Sequence, residues 1–94
     1  MAQANRERAR QIQEAIRHVL LHDWDPIGVR DVAEAQYEYD SYVGGVYRLM
    51  YSGASELQVI ELLCDIEHGL GLTPGDRSKS TSVARKLCAL DVRL

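Results

Sequence analysis

No stretch of this 94-residue chain approaches the ~20 consecutive apolar residues that cross a bilayer, which excludes a membrane-spanning helix. The opening, MAQANRERAR, is charged, and no apolar run of about 7–15 residues follows it, so a secretory signal is not expected. Cys64 and Cys88 are the only two cysteines, too few for a disulfide framework, and neither lies in a CxxC pair. The consistent address is a reducing cytoplasm, where both thiols serve as small buried hydrophobes.

The catalytic signatures are missing as well. The glycine-rich runs lack the Lys-Ser/Thr ending of a phosphate loop, and the serines at 52, 55, 78, 80 and 82 lie in caps and loops without a nucleophile elbow. His18 and His22 stand four apart, but no Glu occupies the position that a zinc protease motif requires. An enzyme, a metal site and a cofactor are therefore not expected. Residues 52–76 hold five acids and no Lys or Arg, and residues 23–40 hold six acids against Arg30 alone. The middle of the chain is acidic and its two ends are basic. A nucleic-acid partner is disfavoured, because a phosphate-binding face needs concentrated Lys and Arg. An acidic middle suits a basic protein partner instead.

What is present is a core's worth of apolar residues, 46% of the chain, in a length that makes one domain, 1–94. A domain of this size buries only about two-thirds of its unfolded surface, so pairing into a homodimer is one way to bury more. The apolar spacing is helical nearly throughout. Ala9, Ile12, Ile16, Val19 and Leu20 make a single stripe, which predicts a first helix from about Asn5, as its cap, to Leu21. Tyr39, Val43, Val46 and Met50 predict a second over roughly Glu38 to Tyr51. Its Gly44-Gly45 pair costs about 1 kcal/mol per glycine against alanine. Either the helix starts late, at Asp40 or Ser41, or it bends there, or another helix packs on the bare backbone.

Ser55 with Gln58 is a capping box and opens a third helix. Its wide apolar face, with Leu57, Ile60 and Cys64 interleaved with Val59, Leu63, Ile66 and Leu70, makes it the helix expected to be most buried. GLGLTPGD, from Gly69 to Asp76, stops it. A fourth helix, from Ser78 or Ser80 to Asp91, carries Val83, Leu87, Leu90 and Leu94. No strand is expected. The fold class is all-α, a small antiparallel four-helix bundle with an ordered loop between helices 1 and 2.

That loop begins HDWDPIGVRD, at His22 to Asp31. Trp24, the one tryptophan, is too large and apolar to leave in water, so it is expected to peg the loop onto the helices. The residue before a proline avoids the α conformation, so Asp25 is expected to be extended. Gly28 lets the chain turn, and a single helical turn is expected near Val32–Ala35. Asp23 and Asp25 must point outward or find partners.

Five of the six aromatics are tyrosines lying between Tyr37 and Tyr51, and Tyr37, Tyr47 and Tyr51 fall off the core stripe. Tyrosine is rigid, large and amphipathic, which suits an interface. Asp23, Asp25, Asp40, Tyr47 and Tyr51 are the candidate binding residues for a basic protein. The alternative is a small-molecule or metal-binding corner at His18, His22 and Asp23.

WDPIGV at 24–29, EYDSYVGGVYRLM at 38–50 and GAS at 53–55 resemble the YugE-like family of small bacterial helical proteins. The likeness covers roughly residues 15–72 in order. It implies a compact helical bundle from a bacterial cytoplasm and implies no activity. Some relatives lie near toxin genes, which makes an immunity or antitoxin-like inhibitor one concrete version of the binding reading. Relatives often carry Pro where Gly44 stands, which favours a second helix starting near Asp40 or Ser41. A third possibility is a homo-oligomer whose function belongs to a larger assembly.

A far-UV circular dichroism spectrum is expected to be dominated by helix; a strand-type spectrum would refute the fold class.

Overall fold

The computed structural model describes residues 2–72 and 77–93, and every regular element among them is helical. The first helix, α1, spans Ala2–Val19. It begins before Asn5, which therefore lies inside the helix and does not cap it. Its Arg, Gln, Glu and Ala content has high helix propensity, and its stripe of Ile12, Ile16 and Val19 is buried.

Helical winding then continues past the predicted end at Leu21. Leu20–Trp24 form a π-helical turn in which the Asp25 N–H donates to the Leu20 carbonyl at 2.9 Å. Leu20, Leu21 and Trp24 are all buried in this turn. The chain leaves it through Asp25, which is left-handed (φ 38°, ψ 61°) and not extended as expected. Asp is one of the few L-residues that tolerate this conformation, because its short carboxylate can bond the local backbone. Here it does, accepting from the N–H of Val29 at 2.8 Å and of Arg30 at 3.2 Å. Those bonds outweigh the extended preference that Pro26 imposes. Gly28 takes φ 70°, completing the turn as expected. A 3-10 turn at Ala33–Ala35 falls where the single turn was expected.

The second helix, α2, spans Asp40–Tyr51, starting at Asp40 and not at Glu38, with Tyr39 at its N-cap. Gly44 and Gly45 lie within it, both exposed. A Cβ at Gly45 would meet nothing within 4 Å, and one at Gly44 only the tip of Arg48 at 3.9 Å, so no helix among the described residues packs on the bare backbone. The third helix, α3, spans Glu56–Gly69 behind the predicted Ser55–Gln58 capping box. The fourth, α4, spans Arg77–Ala89. Thr73–Asp76 of the stop signal and Leu94 of the last stripe lie outside the described residues.

Helix α1 packs on α2, α3 packs on α4, and α4 also covers the π turn and part of α1; the α2–α3 contact is slight. The molecule measures 44 × 32 × 19 Å. A helix with side chains is about 10–12 Å across, so the short dimension holds two helical layers. This thinness explains why α3 is less buried than its apolar width suggests. Only Val59, Ile60 and Leu63 are buried, while Leu57 is 54% exposed.

Trp24 sits at the centre with no exposed surface. Its ring meets Tyr39 at 5.6 Å, tilted, and Tyr42 at 6.4 Å, edge-on, between centroids. Its indole Nε1–H donates to Glu67 Oε1 of α3 at 2.7 Å. The peg expected from the sequence is thus tied to α2 by the edge-on contact with Tyr42 and to α3 by a hydrogen bond.

Trp24→Ala is expected to cost about 3–5 kcal/mol, as large aromatic truncations in cores do. Glu67→Ala leaves the indole N–H without its acceptor and is expected to cost about 1–3 kcal/mol, whereas Glu67→Gln keeps an acceptor oxygen and costs less. Denaturant melts followed by the single tryptophan (and, for Trp24→Ala, by circular dichroism) measure all three. A Glu67→Ala variant as stable as wild type would show that the indole bond is dispensable.

Candidate functional site

Asp25, Asp23 and Asp40 were grouped as a binding surface, but each meets a partner within the fold. Asp25 Oδ1 accepts from the Tyr39 hydroxyl at 2.7 Å as well as from the Val29 N–H. The Tyr39 oxygen in turn accepts from the Ile27 N–H at 3.2 Å. Burial, reinforced by the Asp25 carboxylate, pushes the Tyr39 phenol far above its ordinary range, so it stays protonated and donates. Burial works against the charge on Asp25. The hydrogen bonds from Tyr39, Val29 and Arg30, with the Arg30 charge, outweigh it and hold the carboxyl below its usual range. Asp25 is therefore the clasp of the loop and not a solvated charge.

Asp40 takes a bidentate hold from Arg17 of α1, at 2.6 Å from Nε and 3.1 Å from Nη2. Arg17 also bonds Glu14, and its guanidinium lies 5.3 Å from the Tyr37 ring centre. The same side chain thus joins α1 to the first residue of α2, where a negative charge also complements the helix dipole. Asp23 Oδ1 accepts from Lys86 of α4 at 2.7 Å, a partly exposed pair.

His18 and His22 lie ring to ring, 4.4 Å between centroids, but the Asp23 carboxylate is bonded to Lys86. Among the described residues no three His, Cys, Asp or Glu side chains gather to hold a metal ion. The histidines instead line an open cleft of about 520 Å³ with Glu14, Arg17, Leu21, Gln36 and Tyr37. Cys64 and Cys88 are half-buried free thiols packed against the core, and burial, with Glu56 nearby, pushes the Cys88 thiol up.

What remains outward is aromatic. Tyr47 and Tyr51, one helical turn apart on α2, stack with 6.2 Å between centroids and 8° between planes. Tyr47 is half-buried against the core and Tyr51 is 60% exposed. Asp40, Tyr47 and Tyr51 recur at i, i+7 and i+11, so they share one side of α2. Tyr37 is 70% exposed, with exposed Glu34 and Glu38 nearby in the loop.

A second feature had no signal in the core stripes. Gly45, Arg48 and Leu49 of α2, with Ser52 just past its end, face Gln58, Glu61, Leu62 and Asp65 of α3 across an open groove of about 510 Å³. Leu49 and Leu62 sit outside the buried stripes and pack half-buried at its floor. Their being apolar at off-stripe positions is the one trace that the sequence carries of this groove.

Comparison with protein-family models, curated proteins and solved structures gives no match to this chain. No helix among the described residues is long and apolar enough to cross a membrane. The class that the fold defines is a small all-α helical bundle.

The different roles of the loop aspartates separate in a pH titration of stability. Asp25→Asn keeps an acceptor at Oδ1 but turns an N–H₂ toward the Arg30 N–H, and is expected to cost about 1–3 kcal/mol at pH 7. Asp23→Asn loses only a surface pair and is expected to cost less than about 1 kcal/mol. If both were solvated surface charges, each change would fall below about 0.5 kcal/mol. Because the Asp25 pKa is lowered on folding, its contribution is present above the ordinary carboxylate range near about 4 and is lost as pH falls through the lowered value. The gap between wild type and Asp25→Asn should therefore narrow below about pH 4. A gap that is constant down to strong acid would contradict the clasp.

Proposed function

We propose that this protein is a non-catalytic interaction module that presents an acidic, tyrosine-bearing surface to a basic protein partner. An immunity or antitoxin-like inhibitor is one concrete version of this reading. The stacked Tyr47–Tyr51 pair carries it, with Tyr51 held outward at 60% exposure. A parallel pair of rings on a rigid helix loses little conformational entropy on binding and offers both apolar area and hydroxyls. The acidity of the surface rests on fewer free carboxylates than the composition promises, since Asp23, Asp25 and Asp40 are engaged within the fold. Glu34 and Glu38 near Tyr37 supply exposed negative charge. A charged rim of this kind acts mainly on association rate and specificity.

A photo-crosslinking residue placed at Tyr51 and activated in the source cells is the test. It is expected to capture one strongly basic protein, with yield falling steeply as salt rises. A neutral control site on the exposed side of α1 should capture nothing above background. Capture of no protein at Tyr51, or of an acidic one, would refute the reading.

A further inference from the structure

The groove between α2 and α3 differs from the tyrosine face in having an apolar floor. Leu49 and Leu62 form that floor, Glu61 and Asp65 stand on the α3 side, and Arg48 stands on the α2 side. Arg48 turns back along its own helix, its Nε 3.4 Å from the Gly44 carbonyl. The α2 wall carries no side chain at Gly45. Gly45 lines the groove, and a Cβ there would touch nothing, so the fold itself has no steric need for the glycine. A Cβ at Gly44 would meet only the tip of Arg48, at 3.9 Å, and both glycines weaken α2 relative to alanine. A wall without a side chain lets a second backbone approach closely, which a helix does best with its own apolar stripe turned to the floor.

The charge on α3 selects what that helix carries. Glu56, Glu61, Asp65 and Glu67 lie along α3, which has no Lys or Arg. Glu56 pairs with Arg85 and Glu67 is held by Trp24, which leaves Glu61 and Asp65, both exposed, over the groove.

We infer that the α2–α3 groove docks a cationic amphipathic helix of a partner protein, its apolar stripe on Leu49 and Leu62 and its Lys or Arg residues against Glu61 and Asp65. This rests on the proposed binding of a basic protein and names the segment that such a partner inserts. Gly45 sets the closeness of approach, and Tyr51, on the same helix, contacts the partner outside the groove.

The test titrates an 18-residue Leu/Lys amphipathic helical peptide into the ¹⁵N-labelled full chain, with a Leu/Glu peptide of matched pattern as control. Amide shifts are expected at Gly45, Leu49, Leu62 and Asp65 with the Leu/Lys peptide, and binding of the Leu/Glu peptide is expected to be at least ten-fold weaker. The Glu61→Lys, Asp65→Lys double variant should weaken the Leu/Lys peptide about ten-fold, which is about 1.4 kcal/mol. Gly45→Leu should raise the melting temperature by several degrees while weakening binding at least five-fold, a stability gain at the expense of function. Equal binding of the two peptides, no binding of either, or unimpaired binding to Gly45→Leu would overturn the inference. Shifts confined to Tyr47 and Tyr51 would also overturn it while leaving the tyrosine face as the binding surface. So would a concentration-dependent dimer whose contact covers the groove, since a second copy would then be the occupant. Failure at the Tyr51 crosslink, by contrast, removes the underlying reading itself.

Discussion

The structure depends on the burial of one indole. Trp24 ends the π turn that follows α1, lies against two rings, Tyr39 before α2 and Tyr42 within it, and bonds Glu67 of α3, so one side chain touches three parts of the bundle. Helix α4 packs over the same turn. Among the described residues Trp24 is the largest fully buried side chain, in a domain too small to have a second core. The indole N–H must be satisfied once it is buried, and a carboxylate from a distant helix does this at 2.7 Å. The ordering of the loop follows from the same requirement. The chain that emerges from Trp24 must turn at once, and Asp25 holds the turn by spending its carboxylate on two backbone amides and the Tyr39 hydroxyl.

Electrostatics in this protein are largely internal. Arg17 joins α1 to the start of α2, Lys86 joins α4 to the π turn, and Arg8 donates to the carbonyls of Asp91 and Arg93, drawing the two ends of the chain together. The uneven charge along the sequence is therefore used to pair basic ends with an acidic middle. Much of the negative potential that composition suggests is neutralised by the chain's own arginines and lysines. The outward character that remains is set by tyrosines and by the acids of α3. This is why the proposed partner surface lies on the outer side of α2 and its groove with α3, and not on the aspartates around the proline.

Helices, their order and most of their limits were legible in the sequence, because each rests on local physics. The apolar stripe of Ile12, Ile16 and Val19 has the helical period, Ser55 and Gln58 cap each other within one turn, and Gly28 turns where it stands. The size and apolarity of Trp24 likewise announced its burial. The acids could not be read this way. A carboxylate is solvated, clasped or paired according to what arrives from elsewhere, and the partners of Asp23, Asp40 and Trp24 lie 63, 23 and 43 positions away. The pairing of Asp23 beside His18 and His22 could not be read locally either, since Lys86 reaches it from α4.

The sequence by itself determined an all-helical chain, a buried tryptophan after α1, a turn at Gly28 and an excess of tyrosine on α2, since periodicity, size and backbone freedom act over a few residues. Only the tertiary structure decided that Asp25 would be left-handed, since three converging hydrogen bonds had to overcome the preference of a residue before proline. It alone decided that α3 would keep part of its apolar face in the open, because two helical layers 19 Å thick cannot cover a helix on all the sides its sequence makes apolar. The groove beside Gly45 exists for that reason. It is a property of how loosely two helices lie together, and no local pattern in either helix specifies the space between them.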